Sequence, residues 1–598
     1  MINAARRPSL WASRGPLVAG LILVAMTLGV YLNALDNPFV YDDFFTVTGN
    51  PSIASAADPR WTLAYMPFRP VINFSYAADH RLWGYRPFGY HVTSVLLHAA
   101  VSLLLFAFLR RLLGGARRAA GRDLDSTGAD TWAAFAGAAL FAVHPIQSET
   151  AGYVSSRSEI LCGLFILSSL LFARVAKGAL PPDGNAAPGP RRRAFATVAA
   201  CACGVLAMLS KEVAAALPVL YIAHDWLLLP GDLAPKRRRL LRVFIPVAVI
   251  TLVLLVYRVR LLAGVDASLA KAPVLNMLTQ SIVIWRYLLM MVLPAGQAIM
   301  HQTHTVTTLA DPLGILAALG LVALLAAAYA ARRASPLYLL GAIWWFACIA
   351  PSSSIIALRE GMAEHRVYVA SAGVAMIMTA AIAQLIRRPA ASAGRVPLAW
   401  TTGLALLLVV CGTLTIRRNI VWDSPVSVWR EARGAAPEMW QARYALGDAL
   451  REAGDCPAAM VEYEAVLQER PQHREATTNL GVCLGQIGRF PEAESAFRRA
   501  IAIDPAWARG YTNLAAIAAL EGDSEQARDY YQRAIVVDPR NVHARVQLAR
   551  IYEEVLHDYD HAVRMCEEAR AISPTTAGLA ECIERNQQLA RAARGSGL

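Results

Sequence analysis

The sequence predicts an all-α chain in two parts: a polytopic membrane domain over residues 1–424, then a solenoid of helix pairs over 425–598. Three observations predict it. Apolar residues make up 56% of the 598 and charged residues only 17%, where a soluble globular chain carries roughly 25% charged. The apolar excess is concentrated between residues 16 and 417, in runs long enough to cross a bilayer. Beyond residue 425 the composition becomes ordinary and a regular repeat sets in.

Taken in order, the apolar segments cover 16–34, 88–109, 131–145, 158–176, 194–209, 213–229, 240–262, 275–293, 312–331, 336–356, 366–387 and 396–417. The first, Leu17 to Leu32, follows Arg6, Arg7 and Arg14 without a clean A-x-A cleavage site, and reads as a signal anchor. Further basic clusters stand at Arg110, Arg111, Arg117 and Arg118, at Arg191 to Arg193, at Lys236 to Arg239, at Arg332 and Arg333, and at Arg387 and Arg388. All share the cytoplasmic side only if one segment between Leu262 and Pro312 fails to cross. Segment 275–293 carries Gln280 and Arg286, and is expected to be that one. A charge at mid-bilayer costs about 2.5–3.5 kcal/mol on insertion scales. About 11 crossings then follow, with a cytoplasmic N-terminus. The loop 35–87 and the repeats are expected outside. Residues 178–190 read as a low-complexity cytoplasmic linker.

The net charge of +13 accompanies basic residues held in short loops, a pattern of membrane topology rather than of nucleic-acid contact. No nucleic-acid partner is expected. The nine cysteines are scattered, and Cys201-x-Cys203 is not a metal spacing. Free cysteines acting as small hydrophobes are expected. There is no Walker-type loop, no G-x-G-x-x-G, no G-x-S-x-G and no H-E-x-x-H, so the soluble-enzyme classes those motifs mark are not supported. An inverted repeat of broken helices, as in many transporters, is not evident either.

From residue 425 the chain repeats every 34 residues. Leu446-Gly447, Leu480-Gly481 and Leu514-Ala515 correspond, as do Ala459, Ala493 and Ala527, and Tyr463, Phe497 and Tyr531. Pro471, Pro505 and Pro539 close the units. A fourth unit, with one residue inserted, holds Leu548-Ala549, Ala562, Ala569 and Pro574. Period and residue types are those of tetratricopeptide repeats. Small residues let the two helices of a unit approach, and the aromatics are expected to fill the gap to the next unit. Such stacks offer a groove for a protein or extended peptide.

Chemistry points to the stretch Asn37-Pro38-Phe39-Val40-Tyr41-Asp42-Asp43-Phe44. Adjacent carboxylates repel, so one should ionise late and could act as a base. On an extended loop neighbouring side chains point opposite ways, so one would face the reacting atom and the other would be structural. Other polar clusters stand at His144 to Glu149, at Arg157-Ser158-Glu159, at Ser210-Lys211-Glu212 and at Glu364-His365-Arg366. On the expected topology they share a side with Asp42, and ionisable groups at membrane depth usually mark sites. The plainer reading pairs Glu149 with Arg157, Lys211 with Glu212 and Glu364 with Arg366 at helix ends, and leaves His91 and His98 in the core.

The order of these residues carries a resemblance: Asn-Pro-Phe-Val-Tyr-Asp-Asp at 37–43, Arg-Pro-Val-Ile-Asn-Phe-Ser-Tyr at 69–76, Gly89-Tyr90-His91, His98, His144-Pro145 with Glu149, Ser156-Arg157-Ser158-Glu159, Leu209-Ser210-Lys211-Glu212 and Glu364-His365-Arg366-Val367-Tyr368, then the repeats. The chain resembles the transmembrane and tetratricopeptide-repeat-containing (TMTC) family and its bacterial relatives. That resemblance implies a GT-C glycosyltransferase domain of the protein O-mannosyltransferase type. It implies a polyprenyl-phosphate sugar, such as mannose, as donor and an extracytoplasmic acceptor, protein Ser/Thr. It also implies a multi-pass membrane protein with the repeats outside binding the acceptor or a partner; for a compact, Arg- and Ala-rich chain such as this, the expected compartment is a bacterial inner membrane. Arg157, Lys211 and Arg366 would hold the leaving phosphate, with His365, His144, Glu149 and Glu159 as further substrate-binding residues. Asp42 or Asp43 would be the base. Asp43 is favoured because it lies nearer Phe44 and Phe45. The carboxylates are compatible with a divalent cation, and no other cofactor is expected. Two rival readings are a transferase that assembles lipid or polysaccharide glycans, and a membrane-anchored repeat scaffold. Some 400 membrane residues are far more than an anchor needs.

Overall fold

The computed structural model describes residues 10–595, apart from 55–58, 120–126, 179–187, 229–244, 250, 255, 257–272, 354–359, 387–397 and 575. The described residues are helical and contain no strand. They form two compact units, Met1–Ala435 and Ala436–Leu598.

In the first unit, eight of the described helices are long and apolar enough to cross a membrane: Gly15–Ala34, Pro87–Arg117, Val154–Ala176, Pro190–Ser210, Pro273–Val292, Pro312–Ala331, Glu364–Ile386 and Leu398–Val421. Gly128–Val143, Ile245–Leu254 and Pro336–Ile349 are apolar but shorter. Eight long and three shorter apolar helices stand among the described residues, beside the expected count of about 11. Segment 275–293, expected not to cross, is one of the eight. Its polar groups have partners: Arg286 Nη1 donates to the Gln302 carbonyl at 2.8 Å and Gln280 Nε2 to the Gly361 carbonyl at 3.1 Å. Partnered groups remove most of the insertion cost on which that expectation rested. Segment 213–229, by contrast, opens with a 3-10 turn, Glu212–Ala216, followed by a helix described over Leu217–Leu228. Most of segment 240–262, most of the linker 178–190, and Arg6, Arg7, Lys236 to Arg239, Arg387 and Arg388 lie outside the described residues.

Proline opens many of these helices (Pro70, Pro87, Pro190, Pro273, Pro312, Pro336), where its missing N–H is one that the first turn leaves unbonded anyway. The interior is Leu, Ala, Val and Phe drawn from most of the crossing helices. Small residues set the closest approach. A Cβ on Gly341 would meet the carbonyl of Gly373, and one on Gly373 the carbonyl of Gly341. The helices Pro336–Ile349 and Tyr368–Ile386 can therefore pack backbone to backbone, as small residues allow in lipid.

The second unit is a run of helix pairs: Trp440–Glu452 with Cys456–Glu469, Arg474–Gln486 with Phe490–Ile503, Ala508–Leu520 with Ser524–Val537, and Val542–Glu554 with Tyr559–Ile572. Leu579–Gly595 ends it. A Cβ on Gly447 would meet the ring of Tyr463, and one on Gly481 that of Phe497. These aromatics thus fill the gap inside their own unit, not only the gap to the next. Gly454, Gly488 and Gly522 take positive φ (84°, 82° and 85°) at the turns within units. In the fourth unit His557 takes that conformation, which accommodates the inserted residue. The compact units divide between Ala435 and Ala436, past the sequence boundary at 425. Helix Pro425–Ala435 groups with the membrane unit, because Trp429 packs edge-on to Tyr41 at 5.2 Å and Glu431 pairs with Arg418. Finally, Cys566 and Cys582 form a disulfide that ties the last pair to the terminal helix, so those two are not the free hydrophobes expected.

Candidate functional site

The Tyr41–Asp43 turn is not extended. Tyr41 sits at φ 51°, a left-handed conformation rare for residues other than glycine, and Phe44–Thr48 form a π-helical turn. Strain of this kind persists only where surrounding contacts enforce it. Here Tyr41 Oη donates to Glu360 Oε1 at 2.9 Å, and its ring packs on Tyr153 and Trp429. The two carboxylates still diverge.

Asp43 is fully buried. Its Oδ1 accepts from the Ser155 N–H (2.8 Å) and hydroxyl (2.5 Å), and its Oδ2 from the Val40 N–H (3.2 Å). Burial pushes this carboxyl up to about 7 despite those bonds, and the charge of Asp42 adds to the rise. Asp42 is exposed. Its carboxyl is also raised, by partial desolvation first and then by Glu360; Tyr153 and Arg69 oppose the shift.

Arg157, expected to hold phosphate, is closed off. Its guanidinium pairs with Asp79 at 2.6 Å and donates to Ser75, Ser94 and the Tyr90 carbonyl at 3.1, 3.1 and 2.7 Å. It also lies over the Tyr76 ring. It fastens the loop helix Pro70–Trp83 and the start of Pro87–Ala119 to Arg157–Ala176, and does not form the helix-end pair with Glu149. His144 is likewise engaged within the chain. Nδ1 accepts from the Ile146 N–H and Nε2 donates to the Met291 carbonyl, both at 3.2 Å. Burial lowers it to about 4, against the pull of the Met291 carbonyl.

The remaining expected residues come together. Lys211 pairs with Glu159 at 2.7 Å rather than with its neighbour Glu212. Glu212 pairs with Arg69 at 3.3 Å, side chains 25% and 31% exposed. Arg366 donates to the Glu360 carbonyl at 2.9 Å and lies 3.8 Å from its carboxylate, rather than pairing with Glu364. His365 Nδ1 lies 2.6 Å from Glu149 Oε1. Behind it, Glu364 accepts from His301 (2.9 Å), Gln297 (3.1 Å) and the Ala298 N–H (2.7 Å). Arg69 and Glu360 act electrostatically on Asp42, Glu212 and Glu159 on Arg69, and Lys211, Glu159, Arg366 and Glu360 on His365. Asp42, Arg69, Glu212, Glu159, Lys211, His365, Arg366 and Glu360 thus form a ring of charge, most of its members partly exposed. His98, expected in the core, is there, bonded to Tyr368 Oη at 2.8 Å and the Ala142 carbonyl at 3.0 Å. No group of three or more His, Cys, Asp or Glu is placed to hold a metal ion among the described residues.

Sequence reasoning did not single out Arg69, Glu360, Tyr153 or His301. Arg69 carried a signal, since it opens the Arg-Pro stretch at 69–76. Glu360 and His301 reach the ring only through tertiary folding.

A multi-helix membrane unit with an exposed carboxylate in a charged ring, followed in sequence by a helical-repeat unit, defines the class: a membrane protein with tetratricopeptide repeats. The tetratricopeptide repeat family models match residues 426–465, 444–506 and 508–541. Among curated proteins, the human protein O-mannosyl-transferase TMTC2 is 29% identical over 170 residues, 26% of this chain and 18% of that protein. The mouse protein O-mannosyl-transferase TMTC4 is 28% identical over 218 residues, 33% of this chain and 28% of that one. Among solved structures, a thermophilic tetratricopeptide protein of Thermus thermophilus is 16% identical, with a TM-score of 0.25 over 31% of this chain and 96% of its own. The chain is a distant relative of the TMTC proteins and spans less than a third of the length of the two curated relatives given above.

Proposed function

We propose that this chain is a membrane glycosyltransferase that moves a sugar, mannose by its relatives' names, from a polyprenyl-phosphate donor to a hydroxyl of an extracytoplasmic protein. The observation that carries the reading is the exposed Asp42 within the electrostatic reach of the partly exposed Arg69, with the buried Arg366 reaching the same ring through Glu360. Transfer needs a base for the acceptor hydroxyl and cations for a phosphate that gains charge as the sugar leaves. Asp42 suits the first task, since the residue is exposed and its carboxyl is raised by partial desolvation and by Glu360. This exchanges the roles expected from sequence: Asp43, buried against Ser155 and Val40, shapes the turn. Arg69 and Arg366 suit the second task, with Lys211 behind them. The repeats would bind the acceptor. The Cys566–Cys582 disulfide supports placing them on the oxidising, extracytoplasmic side.

The test is transfer by the purified full chain in liposomes, from radiolabelled polyprenyl-phosphate mannose to a Ser/Thr-rich polypeptide. Label on the polypeptide is the expected outcome. Label only on lipid or polysaccharide would move the acceptor to the glycan-assembly class, and no donor-dependent label on anything would overturn the reading.

A further inference from the structure

Within the ring one acid–base pair keeps an open outer atom. His365 stands in the 3-10 turn Glu364–Val367 and Glu149 in the short helix Ser148–Gly152. Glu149 holds Nδ1 of His365, while Nε2 has no bonded protein partner among the described residues and the side chain is 19% exposed. Glu149 itself is buried, and its second oxygen, Oε2, is unpartnered. The groups facing the pair are Lys211 at the end of Pro190–Ser210, Glu159 in the first turn of Arg157–Ala176, Arg366 and Glu360, with Glu364, His301 and Arg418 acting on Glu149; the charges of His301 and Arg418 oppose its protonation.

We propose that Glu149 and His365 form a proton relay that protonates the leaving phosphate. This rests on the lipid-phosphate donor proposed above. As the bond from the anomeric carbon to the phosphate oxygen breaks, its electron pair goes to that oxygen. A monoanionic diester would become a dianion beside Glu159 and Glu360, which is unfavourable. The second ionisation of a phosphate monoester lies at about 6, so the oxygen accepts a proton readily. Nε2–H passes its proton to the phosphate while Nδ1 takes the proton of the Glu149 carboxyl. The acceptor oxygen bonds to the anomeric carbon and its proton goes to Asp42; solvent later returns one proton from Asp42 to Glu149. Burial, and then the nearby charge of Glu364, raise the Glu149 carboxyl, so it can hold the proton this sequence starts from. His365 is then a catalytic residue and Glu149 a positioning residue that acts through it.

The test uses farnesyl phosphate and the full-length protein, with binding measured by calorimetry in buffers of different ionisation heat. Above pH about 7 the free ligand is a dianion. Wild type should bind it without taking a proton from buffer, because the relay supplies one. Glu149→Gln and His365→Gln should each draw about one proton, and their affinity should fall about tenfold per pH unit. With donor and acceptor present, kcat of His365→Gln should fall by about 10²–10⁴-fold with KM little changed. Equal proton uptake in wild type and both variants would overturn the relay and leave the transferase standing. Absence of farnesyl phosphate binding to wild type would overturn the donor assignment, and the relay with it. Each variant is compared at equal amounts of inserted protein, so a folding defect is read separately.

Discussion

The two ends of helix Arg157–Ala176 both carry buried charge, and they differ in what they leave open. At the C-terminal end, Lys177 bonds both oxygens of Asp225 at 2.6 and 2.8 Å, His224 Nδ1 lies 3.0 Å from Asp225 Oδ1, and Arg174 reaches both His224 and the Arg111 carbonyl. All four side chains are buried, and Lys177 also lies over the Tyr221 ring. At the N-terminal end, Arg157 is closed in the same way, but Glu159 leads through Lys211 into a ring with exposed members and an unclaimed His365 Nε2. Closed clusters fasten helices together, whereas a cluster with free donors and acceptors can serve a ligand. Charge at a membrane helix end is therefore not enough to name a site; exposure and partner geometry separate the two cases.

The largest expected effect that sharpens this contrast is in the closed cluster. Lys177→Met leaves Asp225 buried without its lysine and should cost about 3–5 kcal/mol of stability. Thermal melting and the yield of inserted protein should both fall, while turnover per inserted molecule stays unchanged. Lost turnover in protein of normal stability would erase the distinction between the two ends.

The smallest expected effect is in the ring. Glu212→Gln removes a pair that is partly exposed on both sides, so stability should change by about 0–1 kcal/mol. Freed from Glu212, Arg69 should bind an anionic isoprenyl phosphate more tightly, as a binding titration would read. A large drop in melting temperature, or weaker binding, would make Arg69 another structural cation like Arg157.

How much was legible in the sequence follows from the range of the interactions involved. The repeats were legible because Leu446, Leu480 and Leu514 recur at a fixed spacing, and packing inside a unit is local. Most long apolar runs were legible for the same reason. The break between segments 194–209 and 213–229 was legible in Ser210-Lys211-Glu212, where the backbone at Lys211 is extended (φ −160°); that segment 213–229 opens with a 3-10 turn was not. The acidic pair was visible, but the different surroundings of its two members were not. Those surroundings depend on the Ser155 N–H reaching Asp43 from a turn over a hundred residues further along the chain. The partners of Arg157, Glu212 and Glu364 are also distant in sequence (Asp79, Arg69, His301), so neighbour-based pairing named the wrong ones. The disulfide between Cys566 and Cys582 joins two helices with no recognised cysteine motif.

The central claim is that Asp42 does the chemistry and Asp43 holds the turn, and turnover per correctly inserted molecule tests it most directly. Asp42→Asn removes an exposed carboxylate with little structural role, so inserted protein should stay near wild type while turnover falls by about 10²–10⁴-fold at unchanged donor affinity. Asp43 accepts through both oxygens, and an asparagine would turn an N–H toward either Val40 or Ser155. Asp43→Asn should therefore cost about 1–3 kcal/mol and lower the amount of inserted protein more than the rate of each molecule. The opposite pattern, with Asp42→Asn turning over normally and Asp43→Asn inserted but inactive, would contradict the account.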